Sequence, residues 1–250
     1  MVEKNGGPAR VAVVTGGASG IGRATAVRLA QDGRAIAIWD LDLAGSEETA
    51  AMIRDAGGKA IAIEVDAASK SAIAAALERT HRELGPVTIL VNNAAMTANE
   101  PFLQMDEALW DKMIEVNIKG PFLCTRAIMP DMVEAGWGRV INISSSSTRV
   151  PSTGRTAYIT SKGGINGFTR ALAMEFAEQG ITVNTVAPGY VDTPRLRKWA
   201  PSMDEAVKHF PMKRAGRPEE VAAACAFAAS DEASYITGQL LHANGGRFVG

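Results

Sequence analysis

Arg10-Val-Ala-Val-Val-Thr15 runs without a break into Gly16-Gly-Ala-Ser-Gly20-Ile-Gly22, and an alanine-rich segment follows from about Arg23 to Gln31. The first run is short, apolar and β-branched, the pattern of a buried strand. Strand, glycine turn and helix in this order form the arrangement that binds dinucleotides. The glycines let the backbone turn tightly and approach a pyrophosphate. The helix N-terminus then meets the anion with free N–H groups and the positive end of its dipole. The spacing is Gly-x-x-x-Gly-x-Gly, a variant of the commoner Gly-x-Gly-x-x-Gly. A purely structural glycine turn is the competing reading, and the flanking strand and helix weigh against it.

Arg34-Ala-Ile-Ala-Ile-Trp39 reads as the second strand, ending in Asp40. An acid at that strand end accepts hydrogen bonds from the adenosine ribose hydroxyls of NAD and repels the 2′-phosphate of NADP. Leu41, Asp42 and Leu43 follow, with no arginine among them, so the cofactor expected is NAD. Asp42 suits a helix N-cap better than a ribose contact. A helix from Asp42 to Ala56 is closed by Gly57-Gly58. Lys59 to Val65 is the third strand, and Asp66 at its end either accepts the adenine amino group or caps the next helix, Ser69 to Leu84. Val87 to Val91 is the fourth strand. It ends in Asn92-Asn93-Ala94-Ala95, at the carboxyl edge where open α/β sheets bind ligands.

Met105 to about Ala135 is a long helical region, with Pro121 predicted to kink it one turn after Asn117. A simple break between two helices is the alternative. Gly138 to Ile143 is the fifth strand, followed by Ser144-Ser145-Ser146-Ser147. Arg155 to Gln179 is a helix, Ile181 to Ala187 the sixth strand, and Pro188-Gly189 its end. Tyr190 to Lys213 shows no periodicity and holds three prolines, which predicts a substrate lid. Pro218 to Ala229 is helical and Gly238 to Ala243 is the last strand. Strands alternate with helices throughout, the pattern of a doubly wound parallel sheet with helices on both faces. No composition break or linker divides residues 1–250, so a single domain is expected.

Tyr158-Ile-Thr-Ser-Lys162 carries the chemistry. Tyr and Lys four apart lie on one face of a helix. A free tyrosine loses its proton near pH ~10, and an adjacent ammonium favours the phenolate. Such a tyrosine can exchange a proton with an alcohol, while Ser145 hydrogen-bonds the same oxygen. Taken alone, the pair is better read as part of an ordinary amphipathic helix with a half-buried ring, and the rest of the chain reverses that.

Composition narrows the class. The 250-residue chain is 46% hydrophobic and 21% charged with a net charge of −1, so no basic field draws it to nucleic acid or a membrane surface. Cys124 and Cys225 sit in apolar patterns and read as reduced thiols, consistent with the cytoplasm. The three histidines are scattered, and no cluster has metal-ligand spacing, so no metal is expected. The N-terminal Met1-Val-Glu-Lys lacks the apolar run of a secretion signal.

Thr15-Gly-Gly-Ala-Ser-Gly-Ile-Gly22, Asn92-Asn-Ala-Ala95, Asn117, Ser145, Tyr158-x-x-x-Lys162 and Pro188-Gly189 with Thr193 stand in one order over nearly the whole chain. This set resembles the classical short-chain dehydrogenase/reductase family. The resemblance implies a single Rossmann-type domain with a seven-stranded parallel sheet, a nicotinamide cofactor, and a tetrad of Asn117, Ser145, Tyr158 and Lys162. It implies that Gly16, Ser19, Gly20, Ile21 and Gly22 hold the pyrophosphate side. Asp40 and the adjoining Leu41 serve the ribose, Asp66 and Ala67 the adenine edge, and Asn93 and Ala94 the adenosine region. Pro188, Gly189, Val191 and Thr193 lie at the nicotinamide, with Val191 and Thr193 on its carboxamide. Lys162 also binds the nicotinamide ribose beside Tyr158, and Asn117 holds a water that links Lys162 to solvent. Ala95 departs from the family's usual glycine, a change tolerable if its backbone angles are ordinary. Homotetramers are the common assembly in such proteins.

The reaction these features imply is NAD-dependent interconversion of a secondary alcohol and its ketone, with Tyr158 as general acid/base. The alternatives are an NADPH-dependent ketoacyl (acyl-carrier-protein) reductase and a non-catalytic NAD-binding regulator. For the substrate, Arg155, Arg195, Arg197 and Lys198 could grip an anionic group or be solvated surface charge. Trp199, Met203, Phe210 and Met212 could equally line an apolar pocket.

Overall fold

The computed structural model describes residues 10–199 and 202–250, the side chains of 199, 203 and 204 excepted. The N-terminal segment read above for a leader therefore lies outside the described residues. Seven parallel strands form one sheet in the order β3-β2-β1-β4-β5-β6-β7. They are β1 (Val11–Thr15), β2 (Ala35–Asp40), β3 (Ala60–Glu64), β4 (Val87–Asn92), β5 (Gly138–Ile143), β6 (Ile181–Pro188) and β7 (Leu240–Ala243). Between them run α1 (Gly20–Gln31), α2 (Leu43–Asp55), α3 (Lys70–Glu83), α4 (Glu107–Ile114), α5 (Gly120–Ala135), α6 (Thr156–Phe176), α7 (Pro194–Trp199), α8 (Met203–Val207) and α9 (Pro218–Ala228).

A parallel sheet covered on both faces needs apolar residues at every strand position, yet alternate side chains enter different cores. In β1, Ala12 and Val14 join one cluster and Val11 and Val13 the other. In β2, Ile36 and Ile38 enter the first, and Ala35, Ala37 and Trp39 the second. Each strand is therefore gripped from both sides, and a slip of one residue would exchange its two faces. The order reverses direction between β1 and β4. The loops leaving these two strands part there, and a crevice opens at the carboxyl edge of the sheet.

The region Met105–Ala135 is helical without interruption from Glu107 to Ala135, and the irregularity expected near Pro121 is a π-helical turn. Helix α4 starts at Glu107, with Asp106 as its cap, and a π-helical turn, Glu115–Lys119, joins it to α5. Pro121 has no N–H to offer the carbonyl four residues back, which is that of Asn117. The wider turn absorbs this defect, with the Gly120 N–H reaching back to the Glu115 carbonyl. Residues 190–213, aperiodic in the sequence, are not one long loop. They hold α7 and α8, which are too short for an apolar period to register in the sequence. Among the described residues no helix is long and apolar enough to cross a membrane.

Candidate active site

A cleft of about 690 Å³ follows the carboxyl edge from β2 to β6, within the usual range for small-molecule sites. Its floor begins at the glycine turn. Ser19 precedes α1 but makes no side-chain cap, so the helix's first N–H groups are left for an anion. Gly20 has φ +55°, and a methyl built on it would approach Thr193 Cγ2 at 3.2 Å. The turn and the start of α7 thus face each other closely across the cleft. Gly22 does not line the cleft. A methyl there would stand 2.0 Å from the Gly16 carbonyl, so its absent side chain allows helix and turn to pack together.

At one end of the cleft stand Asp40, Leu41, Asp42, Asp66 and Ala67. Asp40 Oδ2 accepts from the Ala18 N–H at 3.0 Å and Oδ1 from the Asp42 N–H at 3.0 Å. A carboxylate offers about four lone-pair positions, so capacity remains for ribose hydroxyls. Asp42 caps α2 through the Gly45 N–H, the role read for it in the sequence. Asp66 accepts from the Ala68 N–H, while the cap of α3 is Ser69. Asn93 and Ala94 line the middle of the cleft. The Asn93 amide spends its donors on the Thr15 and Gly16 carbonyls, so this side chain splices the β1 and β4 loops rather than facing a ligand. Thr15 completes the splice, its Oγ1 accepting from the Asn93 and Ala94 N–H groups. No motif had singled out Thr15 as a partner for them.

At the other end, Ser145, Tyr158 and Lys162 meet Pro188, Gly189, Val191 and Thr193. Lys162 is buried at 3% exposure, and its Nζ donates to the Ile143 carbonyl at 2.7 Å. Burial takes its pKa down to about 7, and the Arg195 guanidinium adds to the effect. Ser145 Oγ accepts from the Ser147 N–H, and the Ser144 hydroxyl donates to the Lys162 carbonyl. Asn117 is fully buried and stands behind the cleft. Its Oδ1 accepts from the Met96 N–H at 2.7 Å, and its Nδ2 donates to the Met96 carbonyl and to Ser161 Oγ. Its side chain therefore fixes the strand-to-helix segment after β4. Ala95 is not among the residues with positive φ, so the methyl sits on an ordinary backbone.

The substrate end holds side chains of two origins. Arg155 and Arg195 were candidates from the sequence, and both line the cleft. Arg197 is withdrawn to Asp192 at 2.6 and 2.8 Å. Arg247 was missed. Its Nη1 donates to Ser146 and Ser147, about a hundred residues away in sequence, and nothing local to residue 247 announces that contact. Phe210 packs edge-on against Tyr190, and Met212 is exposed; neither lines the cleft. The side chains of Trp199 and Met203 lie outside the described residues.

Fold and cleft together define a nicotinamide-dinucleotide type of oxidoreductase. A family model described as enoyl-(acyl carrier protein) reductase matches residues 16–247. The short-chain reductase protein NovJ of Streptomyces niveus is 41% identical over 95% of this chain and 93% of its own. An acetoacetyl-CoA reductase of Cupriavidus necator is 39% identical over 96% and 99%. A solved structure of a candidate gluconate dehydrogenase from Agrobacterium tumefaciens superposes with a TM-score of 0.92 at 32% identity, covering 96% of both chains. The chain belongs to the classical short-chain dehydrogenase/reductase family.

Proposed function

We propose that this enzyme uses NAD(H) to interconvert a secondary alcohol and its ketone. One observation carries the reading: Ser145, Tyr158 and Lys162 open into the same cleft as the uncapped start of α1 and the Asp40 carboxylate. A nicotinamide bound there supplies the hydride acceptor or donor. Tyr158 takes the hydroxyl proton during oxidation and returns it during reduction, and Ser145 orients the oxygen. Lys162, with one N–H on the Ile143 carbonyl, keeps donors for Tyr158 and a ribose hydroxyl. Because its pKa is about 7, Lys162 holds or releases a proton near neutrality. Asn117 serves this relay through its backbone carbonyl, which Pro121 deprives of its α-helical donor and leaves for a water. Residues 190–213 act as the lid, since α7 borders the cleft with Pro194, Arg195 and Leu196. The whole chain, 1–250, works as one catalytic domain.

NAD is favoured over NADP because the ribose end presents Asp40 and Asp42, and the cation lining that part of the cleft, Lys112, is engaged by Glu115 at 2.9 Å. The nearby Arg23 is occupied by the Ala18 and Gly45 carbonyls and Glu48. A second reading, an NADPH-dependent reductase of a ketoacyl thioester, is favoured by the acetoacetyl-CoA reductase among the relatives. The gluconate in the structural neighbour's description favours a hydroxylated acid instead. Purified protein assayed with NAD and NADP against secondary alcohols and ketoacyl thioesters, followed at the absorbance of reduced nicotinamide, separates the two. Turnover confined to NADPH and thioesters would overturn the first reading.

We place the protein in the cytoplasm as a homotetramer. Both cysteines are buried free thiols, and burial raises each to about 12. Phe227, Tyr235 and Val249 are exposed apolar residues in the C-terminal stretch, apt for subunit contacts. Light scattering tests the assembly.

A further inference from the structure

The two ends of the cleft carry opposite charge. Asp40, Asp42 and Asp66 border one end, whereas Arg155, Arg195 and Arg247 gather at the other around Tyr158. Among the described residues, none of these three arginines has a carboxylate within ion-pair distance. Their partners are neutral oxygens. Arg155 donates to Thr97 Oγ1 at 3.2 Å, and Arg195 to the Ala95 carbonyl at 2.6 Å. Arg247 donates to Ser146 Oγ at 2.9 Å, Ser147 Oγ at 3.2 Å and the Val150 carbonyl at 3.1 Å. A guanidinium has five N–H donors, so each group keeps donors in reserve.

Two of the three are held in place. The Arg155 guanidinium lies 4.2 Å from the Tyr158 ring centroid, and Arg247 is braced by its serine pair and by the Tyr190 and Phe210 rings at 5.3 and 5.8 Å. Arg195 rides on α7, which borders the cleft, and is exposed. Cations converging without an anion repel one another. Burial lowers the Arg247 pKa, with Tyr190 opposing that and Arg155 adding to it, and Arg195 adds to the effect of burial on Lys162. An arrangement of this kind is relieved by a bound oxyanion, which planar guanidinium forks grip well.

We propose that Arg155, Arg195 and Arg247 form an anion subsite beside Tyr158 that receives an acidic group on the substrate, making the substrate a hydroxy acid and its product a keto acid. This rests on the oxidoreductase reading above and specifies its substrate class. The carboxylate and the reacting carbonyl must lie a few bonds apart, because the Arg155 guanidinium stacks on the ring that handles the proton.

The test is reduction of acetoacetate, levulinate and cyclohexanone-carboxylate, each compared with its methyl ester. At least one acid should exceed its ester by ~100-fold or more in kcat/KM, since an unfilled polar subsite discriminates strongly against the neutral analogue. Arg155→Gln and Arg195→Gln should each cut that ratio about tenfold or more, mainly through KM for the acid. Methanesulfonate should inhibit the wild type competitively against the ketone, and acetamide should not. Arg247→Lys retains the charge and guards against misfolding of an Arg247→Gln chain; it should keep part of the preference. If esters and acids react equally well, the subsite is overturned while the oxidoreductase reading stands. If no ketone or alcohol reacts with either nicotinamide cofactor, that reading itself fails. A rise in NAD dissociation constant for Arg195→Gln with an unchanged acid-to-ester ratio would reassign that arginine to the cofactor and overturn its place in the subsite.

Discussion

Replacing Lys162 with Met should make the ligand-free protein more stable at acid pH, by an amount that shrinks as pH rises. Lys162 is buried, and its pKa falls from 10.5 to about 7 on folding. Below pH 7 both the folded and unfolded chains carry the proton, so the folded state bears the full cost of a buried ammonium. Between pH 7 and 10.5 the unfolded chain binds more protons than the folded one, and stability rises with pH. Above 10.5 the amine is neutral in both states and the difference is gone. A displacement of about 3.5 pH units at ~1.36 kcal/mol each corresponds to about 5 kcal/mol. Met keeps the length of the side chain but leaves the Ile143 carbonyl without its 2.7 Å partner, which costs about 1–3 kcal/mol. The net gain at pH 6 is therefore roughly 2–4 kcal/mol, or a rise in Tm of roughly 5–15 °C for a chain of this size.

The assay is urea unfolding followed by circular dichroism at pH 6, 8 and 10, wild type against Lys162→Met at equal protein concentration. Other titrating groups largely cancel in the difference. A variant equally or less stable at pH 6, or an advantage that stays constant up to pH 10, refutes the argument. The same burial is what poises the amine near neutrality, so the variant should gain stability and lose turnover together, as strained functional groups commonly do.

Other outcomes follow from the geometry. Tyr158→Phe should abolish turnover and leave the NAD dissociation constant nearly unchanged, measured by titration of intrinsic fluorescence; equal loss of both would remove Tyr158 from its role. Asp40→Asn keeps an acceptor for the Ala18 N–H but removes the charge, so steady-state kinetics should show preference for NAD over NADP falling about tenfold or more. Asn117→Ala leaves the Met96 N–H and carbonyl unpartnered and should lower unfolding free energy by about 2–4 kcal/mol. Gly22→Ala should displace the glycine turn and weaken NAD binding, whereas Gly163→Ala in α6 meets nothing within 4 Å and should stabilise by about 0.5–1 kcal/mol in a thermal melt.

The sheet was legible because its strands are short apolar runs punctuated by glycine, proline and small polar residues, and because strictly parallel strands leave few topologies. The ribose acid, the glycine turn and the Tyr–Lys pair were legible because each chemistry fixes residue type and spacing within a few positions. The π-helical turn was not. Pro121 signals only that the Asn117 carbonyl loses a donor, and a kink, a break and a widened turn all satisfy that equally well in one dimension.

The four serines after β5 show where local reading ends. In sequence they form a polar tract with the look of a surface loop, yet all four are buried. Buried hydroxyls need partners, and here each partner lies elsewhere in the chain or depends on the exact turn. Ser144 reaches the Lys162 carbonyl, Ser145 accepts from the Ser147 N–H, and Ser146 and Ser147 accept from Arg247. The tract thus joins the end of β5 to α6 on one side and to the segment after β7 on the other. Ser145 owes its position to neighbours that are themselves immobilised by a guanidinium about a hundred residues downstream. It follows that Arg247→Lys, with fewer donors in a different geometry, should loosen Ser146 and Ser147 and lower kcat even for neutral substrates, by a smaller factor than it lowers kcat/KM for acids.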